Sequence, residues 1–324
     1  MKKRKILVFY YSQSGQLKDV VDSVTAPLID NGDIELFFEE ISVQEEFKFP
    51  WGFFRFFDVF PECIALDAPP LNQPKSPTQK YDLIIFAYQV WFLSPSLPAT
   101  ALLQSDYATK VFKDTPVITL IGCRNMWLMA QEKVKKLLLD LGAIHIDNAV
   151  LVDRGGSIAN FITVTRWLLT GKKNSLFGIF PKPGISPKDI KDAQRFGRAI
   201  IKGFEEEKDL KSQSMLQGYK AAEVDEKLIF SEKSGHRAFK VWSKLLRLIA
   251  PRKSILRYPF LLLFAVYLTI MIIIVVPIPM LIRFLISLSY NNKKNKSKEA
   301  IYFEAPSGSD NFNMNKIEMD NING

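Results

Sequence analysis

The chain has 324 residues, 48% of them apolar, with 43 Lys and Arg against 34 Asp and Glu for a formal net charge of +9. That length suits one α/β domain with appended pieces, and the apolar content is enough for a substantial core. Two cysteines (Cys63 and Cys123) without a Cys-x-x-Cys, and two histidines (His145 and His236), exclude a disulfide framework and a His/Cys metal cluster. The histidines read as strand-end or surface residues. The start, Met1-Lys-Lys-Arg-Lys5, shows no secretory signal, so a reduced cytoplasmic compartment is expected.

Ile6-Leu-Val-Phe-Tyr-Tyr11 reads as a buried parallel strand, followed by Ser12-Gln-Ser-Gly15 and a helical pattern from about Gln16 to Leu28. The hydroxyls of Ser12 and Ser14 and the amides from Gln13 through Gly15 and Gln16 to Leu17 converge where a helix start favours an anion. Without a Lys or a Gly-x-Gly-x-x-Gly, this loop excludes a nucleoside triphosphate or a dinucleotide and suits one monoester phosphate. Further strands are expected near 34–40, 82–88, 116–121 and 146–152, and helices near 15–30, 96–110, 126–141 and 187–205. Their alternation implies a parallel sheet covered on both faces. Two long segments, 42–80 and 154–185, interrupt it; they hold Phe47-Lys-Phe-Pro-Trp-Gly-Phe-Phe-Arg-Phe-Phe57, Arg166-Trp-Leu-Leu-Thr-Gly171 and Phe177-Gly-Ile-Phe-Pro181. Loops of that length are usually functional.

These features resemble the flavodoxin-like family, whose Ser/Thr-x-Ser/Thr-Gly-x loop holds the phosphate of FMN. The resemblance implies a doubly wound, five-stranded parallel sheet of order 2-1-3-4-5, with FMN at the β1/β3 switch point. It also implies flavin contacts from the turns after later strands. In Ala87-Tyr-Gln-Val-Trp-Phe-Leu-Ser-Pro-Ser-Leu-Pro98, Gln89 and Val90 offer backbone groups, Trp91 or Phe92 packs on the ring, and Ser94 with Pro95 starts the next helix. In Ile121-Gly-Cys-Arg-Asn-Met-Trp127, Gly122 permits a close turn, Arg124 or Asn125 reaches the flavin edge, and Cys123 is a small buried residue. A cation there stabilises reduced, anionic flavin. Asp153-Arg-Gly-Gly156 closes the pocket, and Tyr88 and Asp153 are base candidates by position.

Together the three longer motifs resemble the bacterial dialkylresorcinol condensing enzymes, over about residues 1–205. No ketosynthase Cys-His-Asn arrangement is present, so the resemblance and the pocket chemistry imply a flavin-dependent dehydrogenation that aromatises a hydrophobic cyclohexanedione to a resorcinol. The segments 47–60 and 160–180 would roof the alkyl chains. A membrane-anchored NAD(P)H-dependent quinone or flavin reductase, and a non-catalytic membrane-tethered module, are the rival readings. NAD(P)H and a homodimeric assembly stay open as partners.

Past a 1–207 domain, 208–235 reads as a linker, 236–257 as a basic amphipathic helix, 258–290 as a transmembrane or re-entrant apolar segment and 291–324 as a disordered tail. Between Lys233 and Arg257 stand eight Lys or Arg and no acid, directly before the uncharged run Tyr258–Val276. No recognition-helix pattern accompanies this block, so lipid headgroups rather than nucleic acid are its expected partner. Phe239, Trp242, Leu245, Leu246 and Ile249 form the face expected to lie in the membrane, which places the protein on the cytoplasmic side.

Overall fold

Ile6 to Tyr10 is buried throughout, as a central parallel strand between two helical layers must be. A computed structural model describes residues 3–153, 157–175, 182–211, 213–272 and 296–307. Five strands, β1 (Arg4–Tyr10), β2 (Ile34–Glu40), β3 (Leu83–Trp91), β5 (Pro116–Cys123) and β6 (Ile144–Val152), lie parallel in the order β2-β1-β3-β5-β6. This is the flavodoxin-like arrangement. It differs from the expected sheet by a sixth strand, the two-residue β4 (Ser94–Pro95), which folds back antiparallel on β3.

Alternation along β1 divides the core. Ile6 and Val8 face α1 (Gln16–Ile29) and α9 (Gln194–Glu205), meeting Val20, Val24, Phe196 and Ile200. Leu7 and Phe9 face α4 (Leu97–Leu103), α5 (Asp106–Phe112) and α6 (Leu128–Asp140), among Leu102, Phe112 and Val134. The helix expected over 96–110 is therefore two, restarted where the Ser105 hydroxyl accepts the Ala108 N–H. Ser94 and Pro95 lie in β4 instead of starting a helix; Ser96 is the residue preceding α4. The 187–205 helix likewise divides into α8 (Pro187–Asp192) and α9.

The long segment after β2 forms α2 (Phe53–Asp58) and α3 (Phe60–Ala65), and the one after β6 forms α7 (Ser157–Thr170). The expected linker does not hang free. The wholly buried Asp147 carboxylate in β6 accepts the Ser214 hydroxyl, the Met215 N–H at 2.7 Å and the Leu216 N–H at 3.2 Å. Helix α10 (Glu226–Ile249) starts ten residues before the expected basic helix.

That helix also corrects the expected membrane face. Phe239 and Leu246 are buried against Phe60 of α3 and against α11 (Tyr258–Ile270), where Phe264 stacks on Phe60 with centroids 4.0 Å apart. Five of the eight basic residues pair with acids of the first domain or the C-terminal segment: Lys233 with Glu299, Arg247 with Asp67, Arg252 and Lys253 with Glu45, and Arg257 with Asp58 and Glu62. His236 is buried in the α10 seam. Among the described residues no helix is long and apolar enough to cross a membrane; most of the expected apolar stretch past Ile272 lies outside them. Of the expected disordered tail, 296–307 is described and contains α12 (Lys298–Glu304), held by Tyr302 to Glu132 at 2.8 Å and by Ser307 to Asp147 at 2.6 Å.

Candidate functional site

The turn after β1 enters α1 through Gly15, whose φ of 85° is left-handed and costs glycine little. The Ser12 hydroxyl accepts the Lys18 N–H at 3.1 Å, so it works as a helix cap and does not line the cavity. The amides of Gln16 and Leu17, at the first helical positions, have no carbonyl within the helix to receive them. Gln13 fastens an aromatic wall beside this turn: its Nε2 donates to the Phe47 carbonyl at 3.1 Å, and its Oε1 accepts the Trp51 indole N–H at 3.0 Å. The Trp51 amide in turn donates to Leu168 of α7 at 2.8 Å.

β3 ends in a two-residue hairpin turn with Phe92 at φ 50° and Leu93 at φ 58°. Such turns favour Gly, Asn or Asp, because a side chain in the left-handed region costs about 1–2 kcal/mol. Packing holds the conformation: the Phe92 ring lies 4.9 Å from Phe56 and 5.3 Å from Phe60. Trp91 packs edge-on against Trp51 at 5.3 Å and Phe47 at 5.2 Å.

At the end of β5, a Cβ on Gly122 would stand 2.9 Å from Leu17 Cδ1, so any larger residue there would have to push the end of the Leu17 side chain aside. Cys123 is buried, and burial pushes its thiol well above the usual range, leaving it inert as a nucleophile. Burial lowers the Arg124 pKa while the nearby Asp153 opposes that shift. Asp153 donates its N–H to the Cys123 carbonyl at 3.0 Å and accepts the Gly184 N–H at 2.7 Å. Among the described residues, Arg124 and Asp153 are the charged residues of the wall.

These turns surround one open cavity of about 230 Å3. Gln13, Ser14, Gln16 and Leu17 line it from the first turn, and Gln89, Val90, Trp91 and Phe92 from the β3 hairpin. Gly122, Cys123 and Arg124 close the β5 side, with Asp153 beside them. Trp51 and Phe56 from the first insertion and Val164, Trp167 and Leu168 from α7 form the apolar roof. Arg154, Gly155, Gly156 and the Phe177–Pro181 motif lie outside the described residues.

Two candidates are elsewhere. Tyr88 is wholly buried on the α6 side of the sheet, where its hydroxyl donates to Gln131 Oε1 at 2.6 Å; burial raises its pKa well above that of an ordinary phenol, so it is no base for this cavity. Asn125 turns its Oδ1 back to the Met126 N–H at 2.9 Å and does not reach the cavity. Gly184 and Ile185 are wall residues that sequence reasoning missed, although Pro183-Gly184 is a turn signal. The Gln16 side chain holds them in place, accepting the Ile185 N–H at 3.1 Å and donating to its carbonyl at 3.3 Å.

The wall fits a planar, phosphorylated cofactor in one further respect. Gln89 Oε1 is a buried acceptor on the cavity side of β3 with no hydrogen-bond partner among the described residues. Buried acceptors are rarely left so, and a ligand N–H would satisfy it.

No family model matches the sequence, and no curated protein matches it. Among solved structures, the chain is similar to a flavoprotein in complex with FMN from Lactobacillus acidophilus NCFM, at 21% identity over 46% of this chain and 93% of that chain, with a TM-score of 0.37. It is similar to oxidised Flavodoxin 1 from Bacillus cereus at 14% identity, over 61% and 97% of the two chains, with a TM-score of 0.33. A flavodoxin from the domain Archaea matches at 10% identity over 62% and 99%, with a TM-score of 0.31. The fold assignment stands on the strand order and register.

Proposed function

We propose that this chain is an FMN-dependent oxidoreductase acting on a hydrophobic ring substrate. The observation that carries the proposal is the convergence of the turns after β1, β3 and β5 on one cavity at the switch point of the sheet, where the buried acceptor Gln89 Oε1 awaits a donor. Amides of the first turn of α1 would take the phosphate, and the β3 hairpin with Gly122 would flank the ring. Arg124 sets positive charge beside that place. When bound, FMN supplies a two-electron acceptor, which converting a cyclohexanedione to a resorcinol requires. Asp153 is the carboxylate of the wall and the candidate to receive the ring proton lost in that conversion. The resemblance to dialkylresorcinol condensing enzymes supports this substrate class, as does a roof of Trp51, Phe56 and Trp167, against which each buried methylene is worth about 0.8 kcal/mol.

The test is FMN titration of protein purified in mild detergent, followed by anaerobic mixing with either a dialkyl-cyclohexanedione or NADPH. Uptake of FMN, its loss in Ser14→Asp and Gly15→Asp, and bleaching by the dione support the proposal. Bleaching by NADPH alone turns the reading to a quinone or flavin reductase. Protein that takes up no FMN refutes it and leaves a non-catalytic module.

A further inference from the structure

α11 is apolar all round, and the described residues cover half of it. Leu261, Phe264 and Ala265 pack inward on α3 and α10. Leu262, Leu263, Val266 and Ile270 fall within an arc of about 100° on the other side, each roughly half exposed. A helix without a charged residue has no solvated face of its own, so this outer arc needs an apolar neighbour.

The outer face of α10 tells what kind. Opposite its buried residues, it alternates Arg237, Lys240 and Lys244 with Val241, Leu245 and Leu248, the last of these 84% exposed. While five basic residues nearby have acidic partners, these three make no ion pair with any described residue, and no acid occurs between Lys233 and Arg257. Ile255 and Leu256 continue the exposed apolar surface between the two helices. Cations interleaved with large apolar side chains match the headgroup layer of an anionic bilayer; the same face of a second copy, with no acid between Lys233 and Arg257, would leave three cations unpaired.

We infer that the outer faces of α10 and α11 dock in plane on an anionic lipid bilayer, so that α2 joins the cavity to the lipid. In α2, Phe56 lines the cavity, while Phe53 and Phe54 are partly exposed and Phe54 stacks on Tyr258 of α11 at 4.4 Å. The docking stands by itself. The further step, that hydrophobic substrate enters along α2 from the bilayer, rests on the function proposed above. Of the α10 face that amphipathicity alone selects, Leu245 belongs to the docked side, whereas Phe239 and Leu246 are buried.

Site-directed labelling tests this on the full chain, diluted from mild detergent into phosphatidylglycerol–phosphatidylcholine vesicles that carry a spin-labelled quencher lipid. An environment-sensitive fluorophore on Leu263→Cys is compared with the same fluorophore on Lys202→Cys of α9, across the sheet. Cys63 and Cys123 are buried and take no label. The label at 263 is expected to be quenched several-fold more than that at 202. Lys240→Gln with Lys244→Gln is expected to weaken partition about thirtyfold, at roughly 1 kcal/mol per lost surface cation. Equal quenching at the two sites overturns the inference, whatever residues 273–295 do, and so does self-quenching at 263 without vesicles, which identifies a second copy as the occupant. FMN titration of the same labelled proteins separates the readings: docking without flavin uptake sinks the proposed function alone, and flavin uptake without docking sinks this inference alone.

Discussion

Glu232→Gln should remove a pH slope from the stability of the whole protein. Glu232 of α10 is 1% exposed, and its Oε1 accepts the Met129 N–H at 2.8 Å, at the start of α6. Its Oε2 has no partner among the described residues. Burial pushes the carboxyl up to about 8 from an ordinary 4.5, against the backbone donors Met129 and Leu128, which pull it down. Between those two values the folded protein keeps a proton that the unfolded chain has released, so stability is full below the lower value and falls as pH rises towards the upper one. The slope is at most about 1.4 kcal/mol per pH unit. Glutamine keeps an acceptor for Met129 and cannot ionise. Relaxation and water entry reduce the full linkage value, leaving an expected advantage for E232Q of about 2 kcal/mol near pH 8 and almost none near pH 5. On the same seam, His236 is pushed down to about 4 and Lys133 to about 8, both by burial; each titrates in both proteins and drops out of the difference. Urea unfolding followed by circular dichroism across that pH range measures the gap, and parallel curves would refute the reasoning.

Arg257→Met should destabilise by about 3–5 kcal/mol, because its wholly buried guanidinium bonds Asp58 at 3.0 Å, Glu62 at 2.9 Å and the Leu246 carbonyl at 3.2 Å. The burial that already raises the Glu62 pKa would then act unopposed, so the deficit should shrink as acid protonates that carboxyl; a deficit absent in urea titrations, or constant with pH, contradicts this account. Gln89→Leu removes the unpartnered buried acceptor, so the flavin-free protein should gain up to about 1 kcal/mol while FMN affinity falls about tenfold. Unchanged affinity in a fluorescence titration would show that Gln89 does not meet the ligand.

The parallel strands were legible because runs such as Ile6–Tyr10 and Leu83–Tyr88 are short and apolar on consecutive positions, as a strand covered on both faces requires. The three cavity turns were legible for the same reason, since they follow strand ends in an alternating pattern. The β3 hairpin was not, because Phe92-Leu93 contains none of the residues that announce a left-handed turn; packing by Phe56 and Phe60 substitutes for local propensity. Tyr88 was misplaced because proximity in sequence to the cavity says nothing of which side of the sheet a strand residue faces. The linker reading missed Asp147, whose amide and hydroxyl donors at Ser214 to Leu216 lie 67–69 residues away. The face of α10 was legible only at Leu245, and Phe239 and Leu246 turned out buried, for a related reason. A helical wheel gives its stripes but not its neighbours, and the acids that neutralise Arg252 and Arg257 sit near the beginning of the chain, at Glu45, Asp58 and Glu62.

The anchoring of α12 has a consequence for truncation. Up to Ile272 the chain follows α11, riveted to the domain through Arg257 and Phe264, and from Lys296 it is again fastened to that domain through Glu299, Tyr302 and Ser307. Cutting the chain after Ile272 would therefore cost the domain two hydroxyl donors far from the cut, Ser307 to the buried Asp147 carboxylate and Tyr302 to Glu132.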